Sequence, residues 1–330
     1  MSTESLIETL PEPLTKARPA LRPAQYRRPP QRQIDGVLLL DKPQGLSSNT
    51  ALQHARRLLN AAKAGHTGTL DPMATGLLPL TFGEATKFSQ RLLDADKCYE
   101  TRLQLGVSTD SGDAEGEIIA RAPVQLTPTQ LDEVLARFRG AIEQLPPMHS
   151  ALKHAGKPLY EYARAGLEIE RQPRPVQIHA LELLGLGEDW IDLRVHCSKG
   201  TYIRTLAMDI GAALGCGAHL SSLRRTAIGD FSLEAAISLD ALQQADEAAR
   251  DQLLAPVDAL LADYPLLELD AEQSRLLLQG RSVALGTPRA AGPVRIYGHL
   301  PESGSAAVFL GLGDCTDGLK LQARRLVATN

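Results

Sequence analysis

The segment GHTGTLDPMATG, residues 65–76, most narrowly limits what this 330-residue chain can fold into. Small residues surround one histidine, His66, and one carboxylate, Asp71. The segment lacks the Gly-Lys-Ser/Thr ending of a P-loop and the Gly-x-Gly-x-x-Gly of a dinucleotide-binding turn, which argues against both nucleotide-binding folds. The pattern predicts a tight, exposed loop that presents Asp71. The alternative is that Asp71 only caps a turn before Pro72.

Local patterns predict alternating strands and helices on both sides of this loop. The capping box Thr127-Pro128-Thr129-Gln130 predicts the start of a helix, and we expect Gly140 to end it. Residues 47–49 supply N-cap candidates for a helix through Leu59. We predict further strands at 36–40, 77–82, 99–107, 176–186, 190–197 and 219–228, helices at 84–93 and 201–214, and an irregular segment at 142–175.

Composition divides the chain into four parts. Residues 1–33, with six prolines, predict a flexible basic arm, and a weak RNA affinity of this arm stays open. The main body is expected at 34–250, a connector at 251–265 and a small β-rich domain at 266–330. The apolar runs are too short to span a membrane, and the four cysteines and eight histidines lack metal-ligand spacing. We therefore expect no membrane anchor and no structural metal.

Charge is unevenly distributed along the chain. The formal net charge of −4 alone argues against a general nucleic-acid binder. Residues 240–272, on a helical pattern, contain nine acidic residues and one basic residue, whereas residues 273–330 contain seven basic and three acidic residues. Five further basic residues lie in the segment from Lys153 to Arg174, both ends included. We expect RNA to avoid the 240–272 face and to contact the 150–174 segment and the C-terminal domain.

A second segment, CSKGTYIRTLAMDIG at 197–211, places Tyr202 and Arg204 where a strand turns into a helix. An arginine beside Asp71 would lower the pKa of that carboxyl and keep it ionised at neutral pH. An aromatic ring in the same pocket would stack on a planar ligand. Core packing of Tyr202 and a surface ion pair of Arg204 are the alternatives.

Six motifs occur together and in order: LLLDKPQGLSS (38–48), GHTGTLDPMATG, EATKFSQ with DKCYE (84–100), SALKHAGKPLYEYARAG (150–166), CSKGTYIRT and LRR (223–225). On these motifs the chain resembles the bacterial tRNA pseudouridine synthase B family, strongly over 34–240. The resemblance implies an α+β pseudouridine synthase fold with a mixed, mainly antiparallel central sheet flanked by helices. It implies that the small C-terminal domain is a PUA-like RNA-binding domain and that 142–175 is an RNA-contacting insertion.

The resemblance also implies a function. The chain would isomerise the uridine at position 55 of the tRNA T-loop to pseudouridine, by base flipping and an aspartate nucleophile. It would act on the T-arm stem-loop in the cytoplasm as a monomer, without cofactor, metal or obligatory protein partner.

Residue roles follow from the same resemblance. Asp71 matches the catalytic aspartate, Tyr99 the ring against the target uracil, and Arg204 the arginine paired with the aspartate. The remaining positions are His66, Tyr202 and Leu223 for substrate binding, Lys153, Lys157, Arg164, Arg224 and Arg225 for the RNA backbone, and Lys42 and Pro43 for support of the active-site loop. Cys98 departs from the family pattern, where a basic residue is expected.

Two other function classes stay open at this point. A non-catalytic tRNA-binding or RNA-folding protein would use the same surface, and a hydrolase would use His66 and Asp71 as an acid–base pair. The path taken by the aspartate is also open among addition at C6, attack at C1′ and proton abstraction from the sugar.

Overall fold

The computed structural model describes residues 30–150 and 152–328. The strands are β1 (Gly36–Lys42), β2 (Ala64–His66), β3 (Thr75–Phe82), β4 (Lys97–Leu105), β5 (Val107–Thr109), β6 (Ile118–Arg121), β7 (Gly140–Gln144), β8 (Lys153–His154), β9 (Lys157–Pro158), β10 (Arg174–Leu186), β11 (Trp190–Cys197), β12 (Ala218–Ile228), β13 (Phe231–Ser232), β14 (Ile237–Ser238), β15 (Leu266–Leu269), β16 (Val283–Ala284), β17 (Gly292–Gly298), β18 (Val308–Thr316) and β19 (Lys320–Leu326).

The α-helices are α1 (Ser48–Leu58), α2 (Gln90–Asp94), α3 (Pro128–Arg137), α4 (Leu159–Arg164), α5 (Ile203–Ala213), α6 (Leu239–Gln244), α7 (Glu247–Gln252) and α8 (Ala271–Leu278). Short 3₁₀ turns lie at Gly83–Phe88, Leu233–Ala235, Val257–Leu261 and Pro301–Ser303. The predicted arm, residues 1–33, falls almost entirely outside the described residues.

A ten-stranded sheet forms the centre of the fold, in the order β14-β1-β3-β12-β4-β11-β10-β7, with β2 beside β3 and β13 beside β12. Among the described strands of this sheet, only the β14–β1 and β12–β3 pairs are parallel. This confirms the predicted mixed, mainly antiparallel sheet. Helices α1, α3 and α5 bury Ala51, Leu135 and Ile210 against it in one core. Burial of these apolar faces is what stabilises the sheet and the helices together.

The local predictions hold where the signal is local. Thr127 accepts a hydrogen bond from the Gln130 backbone, and the reciprocal bond completes the predicted capping box of α3. The expectation for Gly140 is wrong, because Phe138 is the C-cap and Gly140 begins β7 with φ of 89°. The 142–175 segment is also more ordered than expected. It contains most of β7, the β8–β9 hairpin and α4, since β7 pairs with the distant β10.

The C-terminal part forms its own five-stranded sheet, in the order β15-β17-β18-β19-β16. Its core contains Leu267, Ile296, Leu310 and Leu321, all buried. Leu266–Leu269 forms β15, at the start of the predicted β-rich domain, and pairs in parallel with β17. That pairing is long-range, so the local sequence did not indicate it.

A third apolar cluster joins the C-terminal sheet to the central one. Phe88 meets Phe309 edge to face, with ring centroids 5.8 Å apart. The buried carboxylate of Asp258 accepts hydrogen bonds from Arg295 at 2.9 Å and from the Tyr297 hydroxyl at 2.7 Å. A truncation near residue 260 would expose the apolar surface that the central sheet buries against the C-terminal sheet. Substitutions of exposed side chains therefore test the role of the C-terminal part more cleanly.

Candidate active site

Asp71 lies on the loop between β2 and β3, and two buried residues fasten that loop. The Ser48 hydroxyl donates to the Leu70 carbonyl at 3.0 Å and accepts from the Leu70 amide at 2.7 Å. The ammonium of Lys42, fully buried, donates to the carbonyls of Pro43, Leu46 and Pro72 at 2.9, 2.7 and 3.4 Å. These contacts hold the backbone on both sides of Asp71, and the loop-support role of Lys42 and Pro43 stays a prediction.

Burial lowers the pKa of Lys42 to about 8, although Asp71 acts to raise it. A charged lysine in an apolar interior is tolerated only with good hydrogen-bond partners. The three carbonyl oxygens supply them.

Arg204 lies between two carboxylates. Its Nε is 3.0 Å from Asp71 Oδ2 and 3.6 Å from Asp113 Oδ2. Its terminal nitrogens donate to the carbonyls of Ser111 at 3.3 Å and His149 at 2.6 Å. The guanidinium fork thus binds four oxygen acceptors from three different segments, and it fixes Asp71 relative to all of them.

Gly112 makes this arrangement possible. Its φ is 74°, and a Cβ there would lie 2.8 Å from the Met208 sulfur on α5. Only glycine lets the Asp113 turn approach the helix that begins beside Arg204.

The pKa of Asp71 is raised above its ordinary value, because burial outweighs the attraction of Arg204, and Asp113 adds to the rise. Arg204 does lower the pKa, as the sequence suggested, but it is not the dominant influence. The Asp71 side chain is still 36% exposed, so a ligand can reach it. A desolvated but ion-paired carboxylate is a stronger nucleophile than one in water.

A pH dependence follows from the raised pKa. The ionised form is the reactive one, so activity should fall on acidification at a pH above the ordinary aspartate value of 3.8. Asp113→Asn removes the neighbouring negative charge. The acid limb of the pH profile, where the single-turnover rate falls on acidification, should therefore move to lower pH. Asp110→Asn, in the same turn, is the control and should leave the limb in place. A limb that Asp113→Asn moves upward would contradict this account.

Tyr99 on β4 lies beside Arg225 on β12 and Val195 on β11 in the sheet register. It is buried, and its pKa is raised because burial outweighs the favourable effect of the Arg225 guanidinium. The phenol is therefore neutral in the working pH range. This favours a packing role for the ring over a role as a base.

Arg225 does not lie where an RNA-backbone contact requires it. Its side chain is 1% exposed, and its guanidinium donates to the carbonyls of Leu77 at 2.8 Å and Gly68 at 3.2 Å. The expected phosphate contact of Arg225 is therefore wrong for this structure. A Cβ at Gly76 would lie 2.3 Å from the Arg225 carbonyl oxygen, so β3 needs a glycine there.

Arg224 is half-exposed but already paired. It forms two hydrogen bonds to the Asp41 carboxylate, at 2.7 and 3.2 Å, and a third to Thr75 at 3.3 Å. An RNA phosphate would have to compete with Asp41. The RNA contact of Arg224 therefore stays a prediction, and it would require Arg224 to release Asp41.

His66 and Leu223 lie on strands that flank the Asp71 loop. His66 is half-buried, and its Nδ1 is buried without a hydrogen-bond partner in the described residues. Burial and Arg225 both lower the pKa of His66, so the ring is neutral at physiological pH. Leu223 is buried on β12, where its carbonyl accepts from the Thr75 hydroxyl. A neutral ring and an apolar side chain suit contact with a base.

Tyr202 is the N-cap residue of α5, one step before the turn that carries Arg204. Buried Gln144 clamps its backbone from both sides, accepting from the Tyr202 amide at 3.0 Å and donating to its carbonyl at 3.3 Å. Burial raises the pKa of the Tyr202 phenol. The phenol is thus a neutral hydrogen-bond donor near Asp71.

The predicted RNA-contacting lysines lie on the β8–β9 hairpin. Lys153 and Lys157 are exposed, and residue 156, a glycine with φ of 84°, forms the turn between them. Arg164 ends α4, with its guanidinium 5.4 Å from the Tyr160 ring centroid. His149 lies within the 142–175 insertion, and its carbonyl binds Arg204, so the insertion contacts the Asp71–Arg204 pair directly.

Sequence reasoning missed Asp113, Gln144 and Ser48. Asp113 is one of four acidic residues in the stretch 110–117, and nothing in that local pattern distinguishes it from Asp110. Ser48 was taken as a capping candidate, whereas the N-cap is Ser47 and Ser48 holds the Asp71 loop. In the part of the chain that the structure describes, no group of three His, Cys, Asp or Glu side chains is placed to hold a metal ion. Its helices include none long and apolar enough to cross a membrane.

Comparison with protein families gives three consecutive matches. The TruB family pseudouridylate synthase N-terminal domain matches 56–203, and the tRNA pseudouridylate synthase B C-terminal domain matches 204–262. A pseudouridine synthase II TruB C-terminal model matches 265–327.

Two curated relatives are named tRNA pseudouridine synthase B. The one from Aromatoleum aromaticum is 60% identical over 309 residues, covering 94% of this chain and 98% of the relative. The one from Azoarcus sp. strain BH72 is 60% identical over 304 residues, covering 92% and 98%.

Two solved structures are similar in fold. A Cbf5–Nop10–Gar1 complex matches with a TM-score of 0.64 and 27% identity over 88% of this chain and 84% of the matched one. An H/ACA RNP bound to a substrate RNA containing 2′-deoxyuridine matches with a TM-score of 0.65 and 25% identity over 89% and 85%.

Proposed function

The chain belongs to the TruB family of pseudouridylate synthases, and we propose that it converts uridine 55 in the T-loop of tRNA to pseudouridine. The observation that carries the proposal is the Asp71–Arg204 pair, 3.0 Å apart, on a loop held by Lys42 and Ser48. It supplies a reactive carboxylate of fixed orientation beside two tyrosines.

The reaction balances with the groups of this site. The bond from C1′ to N1 breaks, a bond from C1′ to C5 forms, the C5 hydrogen leaves as a proton, and N1 gains a proton. No electrons leave the nucleoside. Asp71, as its ionised form, is the nucleophile in this scheme, and Arg204 keeps it oriented.

The target base must leave the T-loop stack before Asp71 can reach it. Unstacking costs a few kcal/mol. We assign Tyr99 and Leu223 to the pocket that receives the uracil, and His66 to the space that the base vacates. All three side chains are buried or half-buried and uncharged, so they can pack on a base without an added desolvation cost.

One experiment separates this function from its rivals. Unmodified T-arm stem-loop carrying tritium at uridine C5 should release tritium to water, with the product only at the T-loop uridine. Tight binding without tritium release would favour a non-catalytic RNA-binding protein. Cleaved RNA or free uracil would favour a hydrolase.

A packing role of Tyr99 predicts different effects of two substitutions. Tyr99→Phe keeps the ring and should retain most RNA affinity. Tyr99→Leu should weaken binding by about 1–3 kcal/mol, the usual contribution of base–aromatic stacking. The measurement is fluorescence titration of the T-arm stem-loop, with thermal unfolding as the check on folding. Equal affinities of the two variants would count against packing.

We assign phosphate contacts to Lys153, Lys157 and Arg164 on the insertion. We assign further phosphate contacts to exposed basic side chains of the C-terminal sheet. Binding should weaken steeply with salt. Lys153→Ala/Lys157→Ala should reduce the slope of log affinity against log salt by about 1.5, since each phosphate contact contributes roughly 0.7–0.9. Arg324→Ala/Arg325→Ala tests the C-terminal domain in the same way.

The matched control for this titration is Arg194→Ala. Arg194 is exposed on β11 and pairs with Glu100 and Glu182, so it should not contribute to the slope. Unchanged slopes in both double variants would refute the electrostatic assignment.

We also propose the organisation and setting of the enzyme. A catalytic domain spans 34–250, followed by a connector at 251–265 and a PUA-like domain at 266–330, with 1–33 as an arm. The separate core of the C-terminal sheet supports this division. In this proposal the enzyme acts in the cytoplasm as a monomer without an obligatory protein partner.

A further inference from the structure

Ser150 is a buried serine whose hydroxyl is not used by the mechanism above. It is 5% exposed, and within the described residues its Oγ has no hydrogen-bond partner. Buried hydroxyls are nearly always paired, so an unpaired one calls for a reason. Ser150 also opens the motif SALKHAGKPLYEYARAG, to which the site assigns only surface bases.

The neighbour of this hydroxyl is the phenol of Tyr202. The Ser150 side chain acts on Tyr202 by lowering its pKa, against the larger effect of burial. The backbone contacts bring the two residues to the same place, because Gln144 bonds the Tyr202 backbone and the His149 carbonyl accepts from Arg204, two residues after Tyr202. Within the described residues the Ser150 Oγ nevertheless has no hydrogen-bond partner.

The backbones of both residues are fixed, so only the side chains are free to adjust. Gln144 holds the Tyr202 backbone from both sides. The Ser150 carbonyl accepts from the Tyr160 amide at 3.1 Å, and its amide donates to the Met148 carbonyl at 2.9 Å. His149, immediately before it, binds Arg204. Ser150 therefore lies in the part of the RNA-contacting insertion that meets the Asp71–Arg204 pair.

We propose that Ser150 is a positioning residue, which donates its hydroxyl proton to the Tyr202 oxygen and thereby directs the Tyr202 O–H to a carbonyl oxygen of the flipped uracil. A phenol oxygen accepts one hydrogen bond while it donates another, so the two bonds are compatible. The proposal rests on the function proposed above. It gives the insertion a second task, the orientation of the base through Tyr202.

The test is a double-mutant cycle of Ser150→Ala and Tyr202→Phe. Single-turnover rates of pseudouridine formation are measured with saturating enzyme, and RNA affinity and thermal unfolding are measured alongside. Ser150→Ala should slow the wild-type reaction about tenfold, as expected for one lost hydrogen bond, with RNA affinity within about twofold of wild type. In the Tyr202→Phe background it should have no further effect.

Ser221→Ala is the matched control, because the Ser221 hydroxyl is exposed and donates to the Arg102 carbonyl. It should react at the wild-type rate. The proposal is overturned if Ser150→Ala slows both backgrounds equally, leaves the rate unchanged, or lowers only affinity or stability. If wild-type protein forms no pseudouridine, it is the proposed function that fails.

Discussion

Asp71→Asn should abolish pseudouridine formation while RNA binding persists. Loss of a catalytic nucleophile lowers turnover by at least about 10⁴-fold in comparable enzymes. Asparagine has the same shape as aspartate but no negative charge, so the loop fastened by Ser48 and Lys42 should keep its conformation. The measurements are tritium release under single-turnover conditions and titration of the T-arm stem-loop.

Asp110→Asn is the matched control for this variant. Asp110 is an exposed carboxylate that accepts from the Glu117 amide, so its replacement should leave the rate near wild type. Turnover of Asp71→Asn near the wild-type level would remove Asp71 from the chemistry. Loss of RNA binding by the same variant would show a structural role instead.

Arg204→Met should damage both catalysis and folding. Its side chain is 6% exposed, and the substitution leaves the buried Asp113 carboxylate without its ion partner. Breaking a buried pair by removing one partner costs about 3–5 kcal/mol of unfolding free energy. The rate should fall by about 10³-fold or more, because Asp71 loses its orienting contact at 3.0 Å. Urea unfolding and single-turnover rates measure the two effects.

A second substitution separates the two effects. Arg204→Met/Asp113→Asn removes the unpaired buried charge, so much of the lost stability should return. Activity should stay low, because Asp71 is still without its guanidinium. Recovery of activity together with stability would mean that Arg204 acts only through folding.

The site also shows a conflict between stability and function. Asp71 has a pKa raised by burial, so its folded-state environment favours the protonated carboxyl. Its unfavourable contribution to stability is therefore absent at low pH and grows as pH rises past the unfolded value through the folded one. The fold thus disfavours the ionised carboxylate that the reaction uses, and Arg204 offsets part of this effect.

Sequence patterns predicted the features whose causes are local. The capping box at Thr127 predicted the start of α3. The apolar run at 77–82 located β3, and the strand pattern over 99–107 located β4, each within a few residues. The glycine-rich segment predicted that a tight loop presents Asp71, because the conformation of such a loop depends mainly on residues that are close together in the sequence. Partners from other segments were accessible only through the family resemblance, as for Arg204.

Other predictions failed because they depend on contacts across the chain. Arg225 was expected at the surface, yet β12 inserts between β3 and β4 and buries it against the Leu77 and Gly68 carbonyls. Gly140 was expected to end a helix, yet pairing of β7 with β10 draws it into a strand. In both cases the residue type was compatible with either environment, and long-range packing chose between them.

The sequence by itself determined that this chain presents Asp71 on a tight loop, places Tyr202 and Arg204 at a strand-to-helix turn, and separates acidic from basic regions. Each of these follows from residues near one another in the chain. Only the tertiary structure decided that Arg204 binds Asp113 as well as Asp71, that Gln144 holds Tyr202, and that Ser150 is buried beside it. Burial and pairing between residues 52 to 133 positions apart are set by how the sheet packs, and no local sequence pattern predicts them.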